Sequence, residues 1–455
     1  MRKSLFILMW AAVLSLALTL MAGCSGAPVD DQTTTTTEHS PTTVTTAVSQ
    51  DEVQIAASDL SRVSASAPRA DVLSASAGMN AFGTDLYGVL AKSVGNGNLV
   101  FSPASIETAL AMIYAGAAGD TAKEMAATLH FQPQGDALHQ AFNSLDALLE
   151  SRSWQGRATV DGRIEGVMVK TANSLWAQKD LAIEKLFLDT LAKDYGAGVR
   201  LVDFQTAAED ARKAINKWVA DQTANKIEDL IPQGALDALT RLVLVNAIYL
   251  DATWESPFNK EATHDSSFHT LAGTDVTTPM MEQMSSFSYA KGDGWQAVEL
   301  PYSRDQLAML VIVPDAGSFA DVEGRLKDGL IDQAVGALAS TGEVRLSLPK
   351  FKFRTQSALS TALQTLGMTK AFGAAADFSG ITKQQALSIS DVIHEAYIAV
   401  DEDGTEAAAA TAVMLAGAAP MEPVKLAIDR PFIFALRDKD TGAVLFLGRV
   451  TDPTA

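Results

Sequence analysis

Near its C-terminal end this chain of 455 residues carries a charged turn, Glu402-Asp403-Gly404. The turn runs into a tract of small residues, Thr405-Glu406-Ala407-Ala408-Ala409-Ala410-Thr411-Ala412-Val413. No proline occurs from Glu402 to Ala419, so every residue there keeps a backbone N–H that a sheet can use. At the two-residue period of a strand, Thr405, Ala407, Ala409, Thr411, Val413 and Leu415 share one face without a charge, while Glu406 falls on the other. Such a segment can be buried as a central strand. Alanine is also the best helix former. The tract alone therefore leaves an Ala-rich helix or a linker equally open, and its neighbours must decide.

Downstream lie Leu426-Ala427-Ile428-Asp429-Arg430-Pro431-Phe432-Ile433-Phe434-Ala435-Leu436 and Leu445-Phe446-Leu447-Gly448-Arg449-Val450-Thr451-Asp452-Pro453. Upstream are Asn98-Leu99-Val100-Phe101-Ser102-Pro103-Ala104-Ser105-Ile106, Leu244-Val245-Asn246-Ala247-Ile248-Tyr249 and Trp254-Glu255-Ser256-Pro257-Phe258. Leu348-Pro349-Lys350-Phe351 and Ile393-His394-Glu395 complete the series. In these motifs, and in their order over about residues 75 to 453, the chain resembles the serpin family.

The resemblance implies an α+β serpin fold: helices packed around a large central β-sheet, two further sheets and an exposed reactive-centre loop at about residues 402–424. It implies an inhibitor of serine proteases and not an enzyme. The target would cleave the loop, which would then insert as a strand while still acylated to the protease. By the family's spacing Glu402, Gly404 and Thr405 begin the hinge, and Ala407, Ala408, Ala409 and Ala410 supply its small residues. The same spacing puts the reactive bond at Ala418–Ala419, or at Gly417–Ala418 if the loop is one residue shorter. Met414, Leu415, Ala416 and Gly417 precede it with no basic residue nearby. That points to elastase-like or subtilisin-like targets, whereas a cut at Met414 or Leu415 would suit a chymotrypsin-like enzyme. Ser102, Ser105, Asn246 and His394 match the family's polar cluster beneath the sheet. The alternative is a non-inhibitory serpin-fold binding or chaperone-like protein, against which the small-residue hinge weighs.

The first residues read separately from the domain. Arg2-Lys3 precede an apolar run from Leu5 to Leu20, and Leu20-Met21-Ala22-Gly23 lead to Cys24. The pattern is similar to a bacterial lipoprotein signal over 1–23, so Cys24 is expected to be lipidated as the first mature residue and the protein to be anchored to a cell-envelope membrane outside the cytoplasm or released from it. The alternative is an uncleaved membrane anchor followed by a core cysteine. Residues 24–70, with Thr33 to Thr37 consecutive, are expected to be a flexible tether, and 71–455 a single domain. Cys24 is the only cysteine, so no intramolecular disulfide can form. The formal charge of −19 becomes −21 once Arg2 and Lys3 leave. This opposes nucleic-acid binding, and no basic helical stripe marks a heparin-like activator site.

The pattern of elements is mixed. Amphipathic spacing predicts helices over 79–92, 104–115, 181–195 and 207–223, and strands over 243–250, 307–313, 344–348, 433–436 and 444–450. Residues 151–157, Ser-Arg-Ser-Trp-Gln-Gly-Arg, look like a surface insertion. The six histidines, His39, His130, His139, His264, His269 and His394, form no His-Glu-x-x-His motif, and no phosphate loop or Gly-x-Ser-x-Gly elbow occurs. Asp401-Glu402-Asp403-Gly404 resembles a calcium loop only until its twelfth position, Ala412. The expectation is a monomer with no metal and no cofactor.

Overall fold

A computed structural model describes residues 53–158, 164–405 and 422–455. It is an α+β structure with three sheets of eight, seven and four strands. The central sheet carries β1 (Gln54–Ala56), β2 (Trp154–Ala158), β3 (Ile164–Gln178), β4 (Val199–Val202), β5 (Leu242–Thr253), β6 (Phe351–Ala358), β7 (Asp391–Val400) and β8 (Gly404–Thr405). Their spatial order is β1-β4-β3-β5-β8-β7-β6, with β2 paired to β3 beyond the reach of β4.

β5 is buried at every residue but Asp251, and its run Leu-Val-Leu-Val-Asn-Ala-Ile-Tyr-Leu does not alternate. That is what a strand covered on both faces requires. One face meets helix α4 (Phe204–Gln222) through Trp176, Phe204, Ile215, Val219, Val243 and Val245. The other meets the main core, where Leu244, Ile248 and Leu250 join Phe101, Ile106 and Leu110. The last two belong to α2 (Pro103–Tyr114), which Ser102 caps by accepting a hydrogen bond from Ser105 N at 3.1 Å, with Pro103 in the first turn.

The C-terminal motifs build the seven-stranded sheet. Phe432–Asp438 lies antiparallel between Leu307–Pro314 and Val444–Val450, and each of the three strands is wholly buried. Arg449 donates to Glu323 at 2.7 Å and to the carbonyl of Gly97 at 3.2 Å, tying this sheet to the short helix Phe319–Gly324 and to the turn before Leu99. The small sheet holds Val424–Ala427, which runs parallel to Val344–Pro349 immediately after the loop region.

Three sequence expectations change. The first helix, α1 (Arg69–Val94), starts ten residues earlier than 79, because Val72 and Ala75 extend the buried stripe of Met79, Phe82, Leu86 and Leu90. The tether expected through residue 70 ends sooner, since the compact unit begins at Val53. β1 adds an edge strand to the central sheet, with Ile55 opposite Arg200. Arg62 donates to Asn143 at 2.8 Å and pairs with Asp146 at 2.7 Å, both on α3 (Asp136–Arg152). The supposed insertion at 151–157 ends α3 and forms β2, whose Trp154 ring lies 3.8 Å under the Arg304 guanidinium.

Candidate functional site

The charged turn is not exposed. Glu402, Asp403 and Thr405 are 5%, 1% and 3% accessible, which corrects the loop boundary expected at 402. Gly404 and Thr405 form β8 between the upper ends of β5 and β7, with Gly404 opposite Thr253, and Thr405 opposite both Ala252 and Val400. A side chain at Gly404 would meet the carbonyl oxygen of Ala252 at 2.0 Å, so only glycine lets the backbone approach this closely. Below this point β5 and β7 pair directly and in parallel, from Asp391 opposite Val243 to Ala396 opposite Ile248. The sheet is thus closed at its foot and already wedged open by two residues at its head.

Backbone amides and side chains distant in the sequence hold the wedge. Trp254 N and Phe258 N donate to the carbonyls of Asp403 and Glu402 at 2.9 and 2.7 Å. Trp254 Nε1 reaches the carbonyl of Asp401 at 3.1 Å, and the Trp254 ring stacks on Tyr302 with centroids 4.6 Å apart. The hydroxyls of Tyr302 and Thr405 share a 2.7 Å hydrogen bond in the interior. Lys350 pairs with Glu402 at 2.8 Å, Lys260 with Asp403 at 2.9 Å, and Thr263 donates to Glu402 at 2.8 Å. Burial alone would raise the Glu402 carboxyl, but the Lys350 ammonium and the Thr263 hydroxyl bring it below the usual range. The two buried carboxylates, each paired with a partly exposed lysine, fix this turn in place.

The four polar residues expected beneath the sheet do meet. Ser102 N–H donates to His394 Nε2 at 3.2 Å, so the neutral ring carries its proton on Nδ1 and donates it to Asn246 Oδ1. Asn246 Nδ2 donates to Ser105 Oγ at 2.6 Å and to Asn173 Oδ1, and Ser105 Oγ donates to Asn173 at 2.9 Å. His394 on β7 and Asn246 on β5 face each other in register, as do Asn246 and Asn173 on β3. The chain of bonds therefore crosses the seam at which β8 enters. Full burial pushes the His394 ring down to about 3, so it is neutral at physiological pH. Hydrogen bonds of this kind can be exchanged for others when strands part, whereas interlocked apolar side chains cannot.

Asn173, Tyr302, Thr263, Lys260 and Lys350 were not singled out from sequence as site residues. Of these, only Lys350 sat in a quoted motif. Glu406, Ala407 to Ala410, Met414, Leu415, Ala416, Gly417, Ala418, Ala419 and Cys24 lie outside the described residues. Among the described residues no group of three or more His, Cys, Asp or Glu side chains is arranged to hold a metal ion.

Comparison with known proteins agrees with this geometry. Residues 77–453 match the model of the family described as Serpin (serine protease inhibitor). An uncharacterized serpin-like protein of Thermococcus kodakarensis is 41% identical over 378 residues, covering 82% of this chain and 85% of that protein. The human leukocyte elastase inhibitor is 35% identical over 381 residues, covering 82% and 97%. Among solved structures, uncleaved ovalbumin superposes with a TM-score of 0.74 at 26% identity, covering 84% of this chain and all of its own. Human thyroxine-binding globulin does so with 0.74 at 30% identity and the same coverage. With the family's motifs and three sheets in place, this chain belongs to the serpin family of serine protease inhibitors.

Proposed function

We propose that the protein inhibits its target as a suicide substrate, by inserting its cleaved loop as a full strand into the central sheet. The observation that carries this reading is β8: Gly404 and Thr405, where the charged turn meets the small-residue tract, already occupy the seam between β5 and β7. Continuing the antiparallel register from Gly404–Thr253 would set Ala407 opposite Leu250, Thr411 opposite Asn246 and Leu415 opposite Leu242, the foot of β5. The register from Thr405–Val400 would set Thr411 opposite His394 as well. Thr411 would then offer a hydroxyl where the His394–Asn246 bond has been broken. From Gly404 to Ala418 the chain would run roughly 47 Å at about 3.4 Å per residue, carrying an acylated protease from one pole of the sheet to the other. Ala418–Ala419 is the reactive bond on this reading, and elastase-like or subtilisin-like enzymes are the targets.

A serine protease panel tests this. An elastase-like enzyme is expected to form a complex that survives denaturing electrophoresis and to release a fragment that starts at Ala419. Ala418→Arg should move inhibition towards trypsin-like enzymes by tenfold or more, roughly, since a charged partner in a primary pocket is worth a few kcal/mol. Cleavage with no trapped complex from any enzyme would mark a non-inhibitory member, and a fragment starting after Met414 or Leu415 would assign a chymotrypsin-like target.

The site of action follows from the first residues. We infer that Cys24 is acylated and that the Thr-rich stretch after it holds the inhibitory domain away from a membrane, outside the cytoplasm. A multiply acylated cysteine anchors stably where a single chain would not. Cys24→Ser should therefore shift the protein from the membrane fraction to the soluble one. A wild-type protein that is already soluble with residues 1–23 attached would refute the assignment.

A further inference from the structure

The edge of β3 that faces away from β5 pairs with other strands at both ends, and among the described residues only the Ser153 hydroxyl, at Val169, bonds to it between them. β2 pairs with it up to Val167, and β4 takes over only at Leu175. Gly166 N points towards Thr253 of β5, so by alternation the backbone groups of Thr171 and Asn173 point into this interval. A slot of about 680 Å3 opens there, walled by Thr171 and Asn173 on one side, Ile55 and Ser61 on the other, and Arg200 and Trp218 at one end. That volume lies within the range of small-ligand sites.

The outer wall is firmly built. Ser58 donates to Asp189 at 2.5 Å, Val63 N donates to the carbonyl of Lys193 at 2.9 Å, and Arg62 is held by α3. Its residues 55–63 precede the family-model match, which begins at residue 77.

Arg200 gives the slot its chemistry. Its guanidinium carbon sits 4.8 Å from the Trp218 ring centre and 5.5 Å from that of Trp176. Among the described residues it has no hydrogen-bond or carboxylate partner, in a chain with 54 acidic and 35 basic side chains. Partial burial pulls its proton affinity down, as expected for a cation that lacks an anion. Five guanidinium donors beside an aromatic face and unpaired strand amides form a receptor for a negatively charged head with an apolar body.

We propose that this slot binds an amphipathic organic monoanion, its head on Arg200 and its body between Trp218 and Ile55. The probe for the test is anilinonaphthalene sulfonate, whose fluorescence is read by energy transfer from tryptophan on the full-length protein. Wild type should bind one equivalent saturably, and decanoate should displace it while neutral decanol should not. Arg200→Met should weaken binding by tenfold or more, roughly, the loss of one charge-assisted contact. Ser61→Phe narrows the slot from an exposed wall position and should weaken binding by a similar factor, and it decides alone if Arg200→Met fails to fold. No saturable binding, equal displacement by decanol, or unchanged affinity in Ser61→Phe would each overturn the site.

Discussion

Thr405→Arg is expected to turn the protein from a trap into a substrate: a target protease should cut the same bond at a similar rate and leave without forming a stable complex. The reason lies in where Thr405 sits before any cleavage. It is 3% accessible, placed between β5 and β7, with its hydroxyl bonded to Tyr302 at 2.7 Å inside the core. The described side chains around that point are apolar or aromatic: Ala252, Val400, Trp254 and Tyr302. A guanidinium there would be buried with no carboxylate facing it, at a cost of several kcal/mol, roughly, after relaxation. The hinge would be expelled from the seam, and insertion would have to start by burying the same charge. On the proposed mechanism deacylation competes with insertion, so each 1.4 kcal/mol, about, added to the insertion barrier would give deacylation a tenfold advantage. Thr405→Val is the control. It keeps the shape and leaves only the Tyr302 hydroxyl unpaired, a loss of about 1–3 kcal/mol, so it should destabilise the protein while still trapping protease. A denaturing gel with complex for wild type and Thr405→Val, and only cleaved product for Thr405→Arg, is the expected pattern. Efficient trapping by Thr405→Arg would exclude strand insertion as the mechanism.

The parts of this hinge that could be read from sequence are those whose roles reside in the residue itself. Thr405, Ala407 and Ala409 share a face without charge at a strand's period, although the choice of strand over helix came from the neighbouring motifs. The residues that grip the hinge carry no such mark. Tyr302 and Thr263 are ordinary by local pattern and become partners of Thr405 and Glu402 only because the sheets bring together positions more than a hundred residues apart. Trp254 and Phe258 were legible as a motif, but that their backbone amides hold Asp403 and Glu402 was not.

Asn173 illustrates a second limit. It lies in Lys170-Thr171-Ala172-Asn173-Ser174, a mixed stretch with no two-residue alternation of apolar and polar positions, and β3 itself was not anticipated as a strand. Its membership of the polar cluster follows from register alone, because Asn173 stands opposite Asn246. Residues 53–67 failed for a related reason. Serine, alanine and scattered charges look like a continuing linker, yet one edge strand and one well-placed arginine are enough to pin the segment to the domain.

The His394 cluster makes stability depend on pH with a definite sign. An unfolded histidine titrates near 6.5, about, whereas burial holds His394 at about 3 and His139, bonded to Tyr195 at 2.7 Å, at about 4. The native state therefore binds fewer protons than the unfolded state whenever the pH lies below the unfolded value. The stability both rings contribute as neutral groups is complete above that value and is lost as the pH falls towards 4 and 3. At a pH of about 5 each ring should take about 2 kcal/mol from the folded state, a large share of what a domain has. The two histidines differ in what acid does next. Protonating His394 puts a second N–H where Ser102 N now donates, so two donors would face each other across the seam at which β8 enters. Acid should therefore favour separation of β5 from β7 as well as global unfolding. Denaturant midpoints measured from neutral pH down to about 5 should fall steeply in wild type. His394→Ala should start lower, since Asn246 and Ser102 lose a buried partner worth about 1–3 kcal/mol, but should lose about half of the pH dependence. A wild-type midpoint that stays flat across this range, or a slope unchanged in His394→Ala, would show that the ring is not held neutral at the seam.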